Sequence, residues 1–165
     1  MVLRLRIAKK KDVGGIVNVM GKVGYIKFRF GEIDLERVQA VIQSEFSSRS
    51  FLVCIKGKEI IGYAIFGPAE AFLDCPFKIE KKKFAYHLGI GIDPDYQGKG
   101  IGLLLTEFVE KVVKIEGYKG IYADVASNNR GSLRLQEKSG FVEIKRYGGK
   151  RGIGIDNVLF KKVFS

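Results

Sequence analysis

At 165 residues, 46% of them hydrophobic, the chain has the size of one domain with a buried core, and no apolar run approaches the roughly 20 residues of a membrane-spanning helix. The alternating start Met1-Val2-Leu3-Arg4-Leu5-Arg6 is not a secretory apolar block, so a cytoplasmic protein without membrane association is expected. A single histidine and two cysteines, Cys54 and Cys75, in apolar surroundings argue against a metal site and for small buried hydrophobes, while the net charge of +11 suits solubility or an anionic partner.

Leu3, Leu5 and Ile7 alternate with polar residues and predict a first strand. Asp12 has the chemistry of an N-cap for a helix carrying Val13, Ile16, Val17 and Met20. Gly21–Gly31 breaks that period with interleaved aromatic and basic residues. Asp34 then caps a second helix with Leu35, Val38, Val41 and Ile42 inward. Phe51–Ile55 and Ile60–Phe66 form a hairpin through Lys56-Gly57-Lys58-Glu59. Ala69–Lys83 reads as irregular, or as a distorted edge extension.

Phe84–Ile92 is the next strand, stopped by Asp93-Pro94-Asp95 because proline has no amide for a ladder. Gln97-Gly98-Lys99-Gly100-Ile101-Gly102 follows. After it, Ile101, Leu104, Leu105, Phe108, Val112 and Val113 predict one apolar helical face, with Glu107–Lys111 and Glu110–Lys114 as i,i+4 pairs and a stop at Gly117. Ile121, Ala123 and Val125 predict a strand parallel to Phe84–Ile92, since a helix crosses between the two. Ser127-Asn128-Asn129 starts a last helix ending at Gly140. Phe141–Tyr147 and Asn157–Phe164 close the chain as strands around the glycine-rich, basic Gly148–Asp156.

A strand, a glycine-rich turn and a helix in that order make a seat for phosphate. The first amides of a helix lack internal partners, its dipole adds positive charge, and Lys99 adds a full charge. The Walker pattern and the G-x-G-x-x-G dinucleotide pattern are both absent. Gln97-Gly98-Lys99-Gly100-Ile101-Gly102 instead resembles the Q/R-x-x-G-x-G/A signature of the GNAT superfamily of acetyl-CoA-dependent N-acetyltransferases. Asn129…Ser132…Leu135…Lys138-Ser139-Gly140-Phe141 resembles a second segment of that family.

The resemblance covers nearly the whole chain and implies a single domain over residues 1–165. The implied fold is α/β with a mixed (α+β) sheet, the GNAT-type acyl-CoA N-acyltransferase fold, with about six to seven strands and about four helices. It implies acetyl-CoA as co-substrate, with no metal, and transfer to a primary amine by direct attack in a ternary complex. The amine is a protein N-terminus, a lysine or a small molecule. Backbone groups of Ile90, Gly91 and Ile92, the turn Gln97, Gly98, Lys99, Gly100, Ile101 and Gly102, and Asn129 would hold the coenzyme. Tyr25, Phe28 and Arg29 would wall the acceptor site, or else the aromatics pack inward and the cations face water.

The family's usual proton-donating tyrosine falls at Gln136, whose amide cannot donate a proton as an acid. Tyr147 is carried as the substitute catalytic residue, beside Tyr122 and Tyr96. The strand Phe84–Ile92 holds no glutamate, and its one titratable side chain near neutral pH is His87. Parity places His87 with Ala85, Gly89 and Gly91 on one face, where small residues leave room for a ligand, and His87 is the candidate base; Glu70, Asp74 and Glu80 are weaker candidates. Two alternatives remain: a non-catalytic acyl-CoA-binding or regulatory module, which Gln136 motivates, and a basic RNA- or ribosome-associated protein, which no nucleic-acid motif supports. The chain is read as a monomer or homodimer.

Overall fold

The structure, a computed structural model, describes residues 1–148 and 151–165, so positions 149 and 150 of the basic connection lie outside the described residues. The elements in chain order are β1 (Leu3–Ile7), α1 (Val13–Lys22), α2 (Tyr25–Phe30), α3 (Leu35–Glu45), β2 (Ser50–Lys56), β3 (Glu59–Pro68) and α4 (Ala69–Phe72). They continue with β4 (Phe84–Ile92), α5 (Ile101–Ile115), β5 (Gly120–Ala126), α6 (Arg130–Lys138), β6 (Val142–Tyr147) and β7 (Asn157–Val163). Among the described residues the strands form a mixed sheet of seven in the order β1-β2-β3-β4-β5-β7-β6. β4 and β5 are parallel, as the crossover helix requires; the pairs β1–β2, β2–β3, β5–β7 and β6–β7 are antiparallel.

By contact density the chain divides into two compact units. One comprises Met1–Phe66 and Gly89–Phe108, the other Gly67–Leu88 and Val109–Ser165. In the first, Ile16, Met20, Val38, Ile42, Leu52 and Ile61 are wholly buried. In the second, Ala69, Leu73, Phe84, Tyr122, Tyr147 and Leu159 form a buried cluster, with Cys75, Phe77 and Ile79 packed against it. The stretch Ala69–Lys83, irregular apart from α4, thus supplies apolar side chains to a core although it has no readable period.

Several local expectations are corrected. Six helices are present among the described residues where about four were expected; the additional ones, α2 and α4, have six and four residues, too few to show a hydrophobic period. On α5 the buried row is Ile101, Leu105, Val109, Val112 and Val113, whereas Leu104 is 41% exposed on the shoulder of that row. Leu35 at the start of α3 is also exposed, although Asp34 caps the helix as expected, its Oδ1 accepting from the Arg37 amide at 2.9 Å. Cys54 is buried but Cys75 only partly so. Glu110 is buried on α5 and receives Lys162 Nζ at 2.7 Å; Lys114 instead lies 4.8 Å from the centre of the Phe164 ring.

Asp12 does not cap α1. A 3-10 turn, Lys10–Asp12, precedes that helix, so the carboxylate faces backward. It accepts the Lys9 amide at 2.7 Å and both Arg6 guanidinium nitrogens, at 2.7 and 2.9 Å. The hydrogen-bonded guanidinium holds the Asp12 carboxyl below the usual carboxylate range, against the opposing effect of burial. Such a group contributes stability that is complete above its unfolded value of about 4 and is lost as pH falls through the lower folded value. Asp12→Asn is therefore expected to lower the urea midpoint at neutral pH and to flatten its decline between about pH 5 and pH 2, measured by equilibrium unfolding.

Candidate active site

The site begins where β4 ends. Asp93 follows the strand and is 1% exposed. Its amide donates to Ile61 O at 2.9 Å, which ties the strand end to β3. Its carboxylate accepts Lys22 Nζ at 2.5 Å and the Asp95 amide at 3.1 Å. The ammonium hydrogen bond is the largest cause holding this carboxyl below its ordinary range. Pro94–Tyr96 then forms one 3-10 turn, and Gln97 Nε2 reaches back to donate to Ile92 O at 3.0 Å. The chain leaves β4 as a closed, hydrogen-bonded corner.

Beyond that corner, Gly98 and Gly100 have φ of +74° and +80°, a region that side-chain-bearing residues occupy only with strain, and a Cβ built on either meets nothing within 4 Å. The α5 ladder opens with the Leu104 amide on Gly100 O at 3.1 Å, so the amides just ahead of Leu104 stand outside it. Lys99 Nζ lies 5.2 Å and Lys56 Nζ 4.8 Å from the centre of the Tyr96 ring. Open main-chain N–H groups, with the Lys99 and Lys56 ammonium groups near the Tyr96 ring that precedes them, form a donor set that fits a diphosphate. In sequence, Lys56 marks only the hairpin connection. It stands forty positions from Tyr96, and only the β2–β3 hairpin brings it there.

The face of β4 expected to be roomy is filled at one point. A Cβ on Gly91 would lie 2.4 Å from Tyr63 Cε1 and 2.9 Å from its hydroxyl oxygen. Gly91 is small because the β3 tyrosine occupies the space, which corrects the inference that it makes room for a ligand. At Gly89 an added Cβ would meet only Ile65 Cδ1, at 4.0 Å. Tyr63 is itself 1% exposed, and burial pushes its phenol above the ordinary range. Tyr25 of α2 lies against it, ring centroids 6.4 Å apart. Arg29 pairs with Glu45 and lies 6.0 Å from the centre of the Tyr25 ring. Phe28 is 74% exposed and stands apart from this group.

Ile90 and Ile92 are half-buried, and His87 is buried at 5% exposure. The ladder between β4 and β5 runs from Phe84↔Gly120 to His87↔Ala123. Asn129 is exposed, and its Oδ1 caps α6 by accepting the Ser132 amide at 3.1 Å. Gln136, on α6, is 3% exposed with Oε1 unpaired among the described residues. The Tyr147 hydroxyl donates to Asp124 Oδ2 at 2.6 Å; burial first, and that carboxylate second, push the phenol far above its usual range.

A mixed sheet whose fourth strand runs into a glycine turn and a helix places the chain among α/β folds with a strand-to-helix turn suited to phosphate. Residues 24–141 match the acetyltransferase (GNAT) family, and the chain belongs to it. An uncharacterized N-acetyltransferase of Methanocaldococcus jannaschii is 28% identical over 95 residues, covering 56% of this chain and 39% of that protein, so the match spans about two fifths of that relative's length. An N-acetyltransferase of Staphylococcus aureus Mu50 is 20% identical with a TM-score of 0.76, covering 99% of both chains. The protein yncA of Salmonella typhimurium, solved with its cofactor acetyl-CoA, is 20% identical with a TM-score of 0.74, covering 99% of this chain and 94% of that one. Both structures share the fold.

The contact of Tyr63 with Gly91 is directly testable. Gly91→Ala is expected to cost about 1–3 kcal/mol by overpacking. In the Gly91→Ala/Tyr63→Ala double variant the cost is less than the sum of the single costs, read from urea midpoints in a double-mutant cycle.

Proposed function

We propose that the protein is an N-acetyltransferase that moves the acetyl group of acetyl-CoA to a primary amine by direct attack in a ternary complex. The observation that carries this reading is the turn after β4. Two glycines there are held at positive φ with open space around them, first-turn amides stand outside the helical ladder, and Lys99 and Lys56 flank the Tyr96 ring. Family membership supports the same reading.

In this proposal the amides from Gly98 to Gly102 and the Lys99 and Lys56 ammonium groups hold the diphosphate. Gln97 fixes the mouth of the turn through its bond to Ile92 O. Main-chain groups of Ile90, Gly91 and Ile92 pair with the pantetheine arm; in the second unit, Asn129 caps α6 through its side-chain oxygen. The coenzyme supplies the thioester, whose C–S bond breaks as the amine nitrogen bonds to the carbonyl carbon. Tyr25 orients the amine beside Tyr63, and Arg29 acts by holding α2 to α3 through Glu45. Phe28, exposed on α2, meets the outer part of the acceptor.

His87 takes the proton the amine must lose. Tyr147 keeps its proton throughout and positions Asp124, because a phenol raised this far is a poor acid. With glutamine at position 136, the coenzyme leaves as its thiolate. The acceptor is a protein N-terminus, a lysine or a small-molecule amine. Buried Gln136 favours one second reading, a module that binds acyl-CoA without turnover. Release of free CoA with an amine panel excludes it.

Calorimetric titration of acetyl-CoA is expected to show saturable binding that weakens tenfold or more in Gly98→Val/Gly100→Val, since each charge-assisted bond lost is worth about 1.5–3 kcal/mol. Absence of binding to the unaltered protein sinks the proposal. His87→Ala is expected to lower turnover at least about tenfold with acetyl-CoA affinity unchanged; unaltered turnover removes His87 from the reaction.

A further inference from the structure

We infer that the first unit carries a second, separate binding site for a small organic anion, in the cavity between the β2–β3 hairpin, β1 and the start of α1. The cavity has a volume of about 480 Å³, within the range of small-ligand sites. Its lining includes neither the turn Gln97–Gly102 nor any residue of β4.

The hollow has a physical origin. Ile55 and Ile60, either side of the hairpin turn, give it apolar walls, and Gly15 of α1 approaches Ile60 so closely that an added Cβ would lie 2.8 Å from Ile60 Cδ1. A bulge between Cys54 and Ile55 shifts the register at this end of the hairpin. The helix start packs directly on Ile60 at Gly15, and the hollow opens beside that contact, between β1 and the hairpin turn.

The charge around it is unbalanced. Arg4, Arg6, Lys11 and Lys58 line the cavity against Asp12 and Glu59. Arg6 is committed to Asp12 by two bonds, which also fixes that guanidinium in place. Arg4 and Lys58 are in no ion pair among the described residues, and both are exposed. Two uncommitted cations above apolar walls recognise an anionic group carried on a compact apolar body, because guanidinium and ammonium groups bind phosphate or carboxylate while Ile55 and Ile60 cover hydrocarbon. Asn18 adds a polar side chain at the same wall. The ligand class is an aryl or similarly compact phosphate or carboxylate.

The test is amide chemical-shift mapping of the full chain, titrated separately with phenyl phosphate and with benzoate. The expected result is saturable movement of the Gly15, Asn18, Gly57 and Ile60 amides with at least one probe. Those shifts weaken about tenfold or more in Arg4→Gln/Lys58→Gln, a variant that retains acetyl-CoA binding at the turn. A response to phenyl phosphate alone assigns the site to phosphates, and a response to benzoate alone to carboxylates. No saturation up to about 10 mM, movement confined to the Gly98–Gly102 amides, or unchanged binding in the double variant overturns the inference. Because the readout is local, it stands or falls independently of the acetyltransferase reading.

Discussion

The buried carboxylate of Asp93 is the constraint on which the working end of the first unit depends. It sits immediately after β4, out of water, where an unpaired charge would cost several kcal/mol. Lys22 from the end of α1 and the Asp95 amide both bond to it, and its own amide is spent on Ile61 O. One residue thus joins the first helix, the third strand, the fourth strand and the corner after it. The strand cannot continue, because Pro94 follows, and it cannot fray, because Asp93 is held on three sides. The glycine turn starts from this fixed corner, and its amides are consequently aimed rather than loose.

A turn made of Gly98, Lys99 and Gly100 contributes little chemistry by side chain, since Lys99 alone carries charge. Its capacity lies in the main chain: positive φ at both glycines exposes N–H groups that an L side chain would cover or distort. The positive field is then completed from elsewhere, with Lys56 and Lys99 both stacked near the Tyr96 ring. Cation–π contact places each ammonium group against an aromatic face. A neutralising carboxylate there would weaken attraction for an anion, whereas an aromatic face leaves the positive charge intact.

The buried phenols are held in a different way. Tyr147 is buried and hydrogen-bonded to a carboxylate, which fixes it as a donor and raises its pKa. Tyr63 is enclosed against Gly91, and its phenol too is pushed upward by burial. Desolvation disfavours the phenolate in both cases, so neither hydroxyl is poised to release a proton near neutral pH. The position where the family's acid commonly stands is a buried glutamine. His87, the chain's single histidine, is buried on β4.

The sequence by itself determined the elements with strong periods and punctuation: the hairpin, the β4–turn–α5 unit, the parallel relation of β4 and β5, and through the turn the family. These follow from local rules, since alternation, a helix-breaking proline and a run of glycines act within a few residues. The tertiary structure alone decided what each side chain meets. It turned Asp12 back onto Arg6, drew Glu110 to Lys162, filled the space at Gly91 with Tyr63 and carried Lys56 to the turn. Each of these contacts depends on the distance between atoms from elements whose relative placement no local period encodes, and a residue's partner there is chosen by packing rather than by propensity.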